Sequence, residues 1–290
     1  MHQVFELWFK LILRELRLAR DHVAAPEVAE EHVPYVVHHL RRVEKILGLC
    51  AQQFAVMETL TPQDFLAFRD KLIPASGFQS FQLRELEVLL GLDARQRVDS
   101  GFGDPLAAIR KLGQDSPGGK VAREHLERAE AEMSLREALH TWLLRTPIQG
   151  SSPGQAGDAG TVEAFCADYL AAAKTRNDAA RARLVAVGVM EADKAEAKFA
   201  AGLEQGRAFL AAEDVEEADQ TRIRRIRAAI LFIESYRELP LLAWPRILLD
   251  TVVEVEEALV LFRSRHARMV ERIIGRRVGT GGSAGVDYLD

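Results

Sequence analysis

The chain has 290 residues, 48% of them apolar and 28% charged, enough to bury one large core or two modest ones. A net charge of −5 gives no basic footprint for nucleic acid, and Cys50 and Cys166 are too few for a disulfide framework or a zinc knuckle, which fits a reducing cytoplasm. No apolar run approaches the ~20 residues of a membrane span, and Met1-His2 leads into an amphipathic helix and not a signal peptide.

Helical periodicity dominates from the start. Phe5, Phe9, Ile12 and Leu16 form the first stripe, with His2 one turn ahead at its apolar end. Val36, Leu40, Val43, Leu47, Cys50, Phe54 and Met57 form a second, predicting a helix of about 25 residues. Thr61-Pro62-Gln63-Asp64 reads as an N-cap, a first-turn proline and a third-position acid, so another helix begins there. Pro74 to Gly77 breaks it, and a further helix is expected from Phe78 to Leu90. The segment 147–160, dense in Gly, Ser and Pro, predicts an exposed, flexible loop. Val162 to Ala212, rich in Ala, Glu, Lys and Arg, describes long, partly exposed helices, and Pro240 and Pro245 are expected to bracket a kink. There is no hairpin signal, internal repeat or extended coiled coil. The expectation is an all-α fold, a single-domain bundle of long helices over residues 1–290.

The last stripe carries the chemistry. Leu248, Val252, Val255, Leu259, Phe262, His266, Met269 and Ile273 recur at steps of four and three, so His266 points where the core residues point. Fourteen residues later Thr280 stands inside the run Gly279 to Gly285. A neutral imidazole on an apolar wall can hold a haem iron from one side, and a glycine loop can bring backbone N–H groups and a hydroxyl to a ligand. The competing reading of a lone histidine on an apolar stripe is a hydrogen-bonded core residue, and many glycine runs mark turns only. Other histidine chemistries lack their parts. A di-iron bundle needs two E-x-x-H motifs and only Glu137 to His140 fits. His22, His32, His38 and His39 read as surface residues without a ready chelate, and no nucleophile turn is present.

Three blocks, in order along the chain, resemble the tryptophan 2,3-dioxygenase family. His2-Gln3 with Glu6-Leu7-Trp8-Phe9-Lys10 and Glu15-Leu16 is similar to its distal-pocket helix. Glu58-Thr59-Leu60-Thr61-Pro62 with Ala75-Ser76-Gly77-Phe78-Gln79-Ser80-Phe81-Gln82 is similar to its central signature, and Ser134-Leu135, Trp142-Leu143 and Arg145-Thr146-Pro147 form a weaker echo. Arg265-His266-Ala267-Arg268-Met269-Val270, Ile274-Gly275 and the glycine run resemble its C-terminal signature. From about Gly91 to Arg222 the likeness is mainly one of character.

The resemblance implies a haem b enzyme, ferrous when active, that inserts both atoms of O2 into the C2–C3 bond of the indole of L-tryptophan to give N-formylkynurenine. It implies His266 as the iron ligand, and Ser76 and Gly77 near the distal face of the haem. Phe65 and Arg69 would wall the pocket and grip the substrate carboxylate, Thr280 would take the ammonium, and His2 would hydrogen-bond the indole N–H. A guanidinium suits a carboxylate because it can bond both oxygens, and Phe65 and Arg69 lie four apart on one helix face. Without the resemblance they read as a core phenylalanine and a solvated charge, and His2 as a frayed terminal residue. Arg263, Arg265 and Arg268 are expected either near the haem propionates or on the surface. A homotetramer, a dimer of dimers, in the cytoplasm is further implied, with no nucleic acid and no membrane as partner.

Family members carry tens of residues ahead of this point, including a phenylalanine four positions before the distal histidine and a helix that covers a neighbouring subunit's site. The sequence here starts one residue before His2. The expectation is that the upstream part is absent from this version of the sequence or that the distal pocket is more open. Two alternatives stay beside the main reading: a paralogue that oxygenates a modified tryptophan or another indole in a biosynthetic pathway, and a haem-binding protein without turnover.

Overall fold

Two long amphipathic helices pack side by side because each presents one apolar stripe. In the computed structural model, which describes residues 2–69, 71, 80–92 and 117–275, α1 spans His2–Ala24 and α2 spans Val33–Met57. A short 3-10 turn, Glu30–His32, leads into α2, whose first turn carries Pro34. Pairings of Phe5 with Phe54, Glu15 with His39 and His22 with His32 show that the two run antiparallel. Ile12, Leu16, Leu40 and Leu47 are fully buried, each contributing roughly 1.5–3 kcal/mol. Cys50 lies among them, and burial pushes its thiol up to about 12, which leaves it inert. The histidines expected at the surface divide: His38 is exposed, whereas His22, His32 and His39 are half-buried with neighbouring rings 5.5 to 6.3 Å apart.

Helix α3, Pro62–Arg69, starts as its sequence predicts. The Asp64 N–H donates to Thr61 Oγ1 at 3.1 Å, and the Thr61 hydroxyl donates to Asp64 Oδ2 at 2.7 Å. Helix α4 spans Phe81–Leu90, beginning three residues later than expected, with the Leu83 N–H donating to the capping Ser80 Oγ. It ends at Gly91, whose φ of +89° is left-handed, and a Cβ there would meet Arg136 Cβ at 2.8 Å. Only glycine satisfies both constraints.

Helix α5, Pro117–Ala131, packs on α4, and α6, Leu135–Arg145, opens with a capping box in which Ser134 and Glu137 bond each other. Helix α7 spans Asp158–Ala186, α8 Ala192–Leu210, α9 Glu217–Ser235 and α10 Pro240–Ile274. The two prolines do not divide α10. Pro240 occupies its first position, where an N–H is spare, and the helix runs on through Pro245. Gly275, at φ +59°, closes it with its N–H on Glu271 O. The architecture is all-α: among the described residues the β pairing is the isolated bridge of Ile148 with Ser151. No described helix is long and apolar enough to cross a membrane.

The chain divides into two compact units, residues 1–139 with 244–290, and residues 140–243. In the first, a charged seam joins α1, α4 and the end of α5. Arg17 bonds Glu85 at 2.6 Å and Glu132 at 2.9 Å, and Arg20 bonds Glu132 at 2.6 Å. Glu85 is 1% exposed and also meets His125, so its charge is compensated where water cannot reach it. In the second, α7 and α8 pack together and α9 touches both. Phe165, Phe232 and Tyr236 cluster there, and Arg227 lies over the Phe209 ring at 3.9 Å. The segment expected as a loop through residue 160 becomes helix at Asp158, and its inner side is tied down. Arg225 donates to the carbonyls of Leu144 and Thr146 and to Asp158, while Ser151 Oγ donates to Asp158.

Candidate functional site

The first turn of α1, the end of α2, the start of α4 and the C-terminal half of α10 enclose a cavity of about 440 Å3, within the range of small-molecule sites. Its floor is four phenyl rings. Phe5, Phe9, Phe54 and Phe262 pack with centroids 5.1 to 6.3 Å apart, and each comes from the apolar stripe of its helix. Met57, Phe81, Leu83 and Met269 add apolar surface, and Ser80, Gln82 and Glu6 supply the polar edge.

Two histidines line this cavity. His266 lies on α10 with its ring parallel to Phe54, centroids 5.2 Å apart and planes within 5°, and Phe262 borders it at 6.2 Å. Burial lowers its pKa to about 4, with His2 and Arg84 adding positive charge nearby, so the ring is neutral at physiological pH. No hydrogen bond from a described residue claims either ring nitrogen. His2 opens α1 and reaches the same cavity; burial lowers its pKa, and Glu6, one turn on, opposes that. The polar edge is fixed by Gln82, whose amide donates to Glu6 Oε2 at 2.6 Å and to Glu6 O at 2.9 Å.

The donor set fits a haem. A neutral imidazole with an unclaimed lone pair, set on a wall of aromatic and aliphatic side chains, is what a haem iron takes as an axial ligand. Among the described residues no group of three or more His, Cys, Asp or Glu side chains converges to hold a bare metal ion.

The sequence model of the tryptophan 2,3-dioxygenase family matches residues 1–290. The chain belongs to that family. It is 44% identical over its whole length to "Tryptophan 2,3-dioxygenase 2" of Ralstonia nicotianae, covering 78% of that protein. It is 45% identical to the tryptophan 2,3-dioxygenase of Sorangium cellulosum, covering 70% of it. A "Tryptophan 2,3-dioxygenase-like protein" of Xanthomonas campestris is 46% identical over 80% of this chain and 85% of its own.

Within this tryptophan 2,3-dioxygenase family member, the structure places some of the residues singled out in the sequence. His2 and His266 come together at one cavity. Phe65 and Arg69 lie on the half-covered side of α3, Phe65 against Phe68 with centroids 5.4 Å apart, and neither is among the described residues that line the cavity. Ser76, Gly77 and Thr280 lie outside the described residues. Of the three arginines near His266, Arg263 is held by Glu87 at 2.5 Å and Arg268 by Glu271 at 3.0 Å, and Arg265 is exposed.

Sequence reasoning assigned no role to Glu6, Gln82, Phe54 or Glu87. Glu6 had a usable signal, standing four residues after His2 on the same face. Glu87 had none, because its partner Arg263 is 176 residues away.

Proposed function

We propose that this tryptophan 2,3-dioxygenase family member opens the C2–C3 bond of the indole of L-tryptophan with both atoms of O2, giving N-formylkynurenine. The observation that carries the reading is the pair of histidines on one aromatic-floored cavity, His266 neutral and unclaimed and His2 beside Glu6. His266 would hold haem b. Bound in its ferrous state, haem b supplies the redox centre that makes O2 reactive toward the indole.

The remaining work belongs to the chain. His2, whose ring favours the neutral form, offers a nitrogen lone pair to the indole N–H and fixes which edge of the substrate faces the reacting centre. The phenyl floor offers water no hydrogen-bonding partner in the same space, so an apolar ring readily displaces it. Arg69 takes the substrate carboxylate, Phe65 walls that side, Thr280 takes the ammonium, and Ser76 and Gly77 border the distal face. These assignments rest on the family's motifs at those positions.

We read residues 1–290, the extent of the family match, as one haem domain. A homotetramer in the cytoplasm is the assembly and location we propose. Val253, Val260 and Leu261, each at least half exposed on α10, are apolar surface that a subunit contact would cover.

The test is the purified holoenzyme under O2 with L-tryptophan, followed by product analysis, beside His266→Ala. N-formylkynurenine from the first and loss of stable haem from a still helical variant are expected. Turnover only of a substituted indole would favour the paralogue, and haem without any turnover would favour a binding protein.

A further inference from the structure

We propose that Glu87 is a positioning residue for His266, acting through Arg263 across the gap between α4 and α10. The inference rests on the reading of His266 as the haem ligand.

Helix α4 buries Arg84, Glu85 and Glu87 in succession, at 7%, 1% and 2% exposure. Burying a carboxylate is costly, and a buried ion pair does not in general outdo well-packed apolar side chains for stability. What such a pair supplies is a fixed geometry, because each lone pair must meet its donor. The two oxygens of Glu87 are taken by different guanidinium groups. Oε2 accepts from Arg84 of its own helix at 2.6 Å, and Oε1 accepts from Arg263 of α10 at 2.5 Å. Arg263 stands three residues before His266, on neighbouring turns of one face.

The other end of α4 makes the matching contact. Gln82, one turn earlier, lines the cavity and holds Glu6 of α1 through both its carboxylate and its backbone oxygen. Glu6 in turn lies four residues after His2. One ten-residue helix is therefore bonded to both histidine-bearing helices, by Gln82 on the side of His2 and by Glu87 on the side of His266. Packing at Phe262 brings α10 against α1 and α2, but apolar contact is not directional in itself. The Glu87 to Arg263 bond is directional and fixes the rotation of α10 about its axis, hence the direction in which the His266 ring leaves it. Groups that orient a metal-binding histidine typically change metal affinity by about 10- to 100-fold when removed.

The experiment measures haem transfer from the holoenzyme to excess apomyoglobin, together with the iron–histidine band in the resonance Raman spectrum of the ferrous form. Glu87→Gln and Arg263→Gln each should speed haem loss about tenfold and shift or broaden that band. The double variant should lose haem no faster than Glu87→Gln alone, since the bond that Arg263→Gln breaks is one of the two that Glu87→Gln weakens. Arg272→Gln, on α10 like Arg263 but breaking only the surface contact with Glu58 at the end of α2, should leave both readouts unchanged. Arg263 is partly exposed, so Arg263→Gln carries the test even where Glu87→Gln does not fold. Unchanged haem loss and an unchanged band in Arg263→Gln would overturn the proposal, even if urea unfolding showed lost stability. A His266→Ala protein that keeps the iron–histidine band would instead overturn the ligand assignment beneath it.

Discussion

Phe54 lies parallel to the imidazole of His266, with centroids 5.2 Å apart and planes within 5° of each other. The contact comes from α2 and limits rotation of the ring about its own Cβ–Cγ bond. Aromatic pairs of this kind contribute about 0.5–1.5 kcal/mol beyond the area they bury. Phe54→Leu should therefore keep the helical fold but speed haem loss by roughly 2- to 10-fold. Unaltered haem loss in a folded Phe54→Leu protein would show that the stacking is incidental.

The role proposed for Arg69 makes a distinction between ligands. An ion pair to a carboxylate stabilises only a ligand that has one, so Arg69→Leu should weaken equilibrium binding of L-tryptophan by roughly 10- to 100-fold. Binding of tryptamine, which lacks the carboxylate, should change little. Equal losses for the two ligands would make Arg69 a structural residue of α3.

Glu15 sets an acid dependence. Burial, the largest single influence, pushes its carboxyl up, but hydrogen bonds from His39 and Arg42, with the charge of Arg42, together outweigh it and hold the group below its ordinary 4.5. A carboxyl with a lower pKa folded than unfolded contributes stability that is complete above about 4.5 and is lost as the pH falls through the folded value. Glu15→Gln should cost about 1.5–3 kcal/mol at pH 7, and the gap from the parent protein should shrink as urea unfolding is repeated at progressively lower pH below 4.5. A gap that stays constant down the acid range would sink this account.

Arg225 is 9% exposed on its side chain and bridges two carbonyls and Asp158. A lysine keeps the charge but not the planar fork that reaches several acceptors at once. Arg225→Lys should lower stability by about 2–3 kcal/mol and open the segment between Ile148 and Gly157 to a broad-specificity protease. Cleavage at the same rate in both proteins would mean that the segment is held by other contacts.

The helices and the inward-facing position of His266 were legible in the sequence because both follow from local periodicity, whereas His2 was singled out by the resemblance. The stripe through Leu248, Phe262 and His266 is apolar at every step but one, and that exception is the candidate ligand. Thr61 announced a helix start through a side chain three residues away, a distance the chain itself sets. In the run Arg84-Glu85-Leu86-Glu87, by contrast, nothing local says that the carboxylates will be buried. Their partners arrive from Arg17, His125 and Arg263, tens to hundreds of residues away. His39 misled for the same reason: its half-buried place depends on Glu15 from the opposing helix.

The phenyl floor of the cavity has a thermodynamic consequence. Phe5, Phe9, Phe54 and Phe262 present carbon and no strong hydrogen-bonding atom, so water over them can bond only to other water. A flat apolar ring entering that space displaces solvent that was poorly satisfied to begin with. Calorimetry of such an association reads out as a negative heat-capacity change with a favourable enthalpy near 25 °C, the pattern of apolar ligands in preformed, poorly hydrated pockets. The affinity gained over the floor therefore discriminates little among indoles of similar shape, and choice between them falls to the few polar groups at the rim.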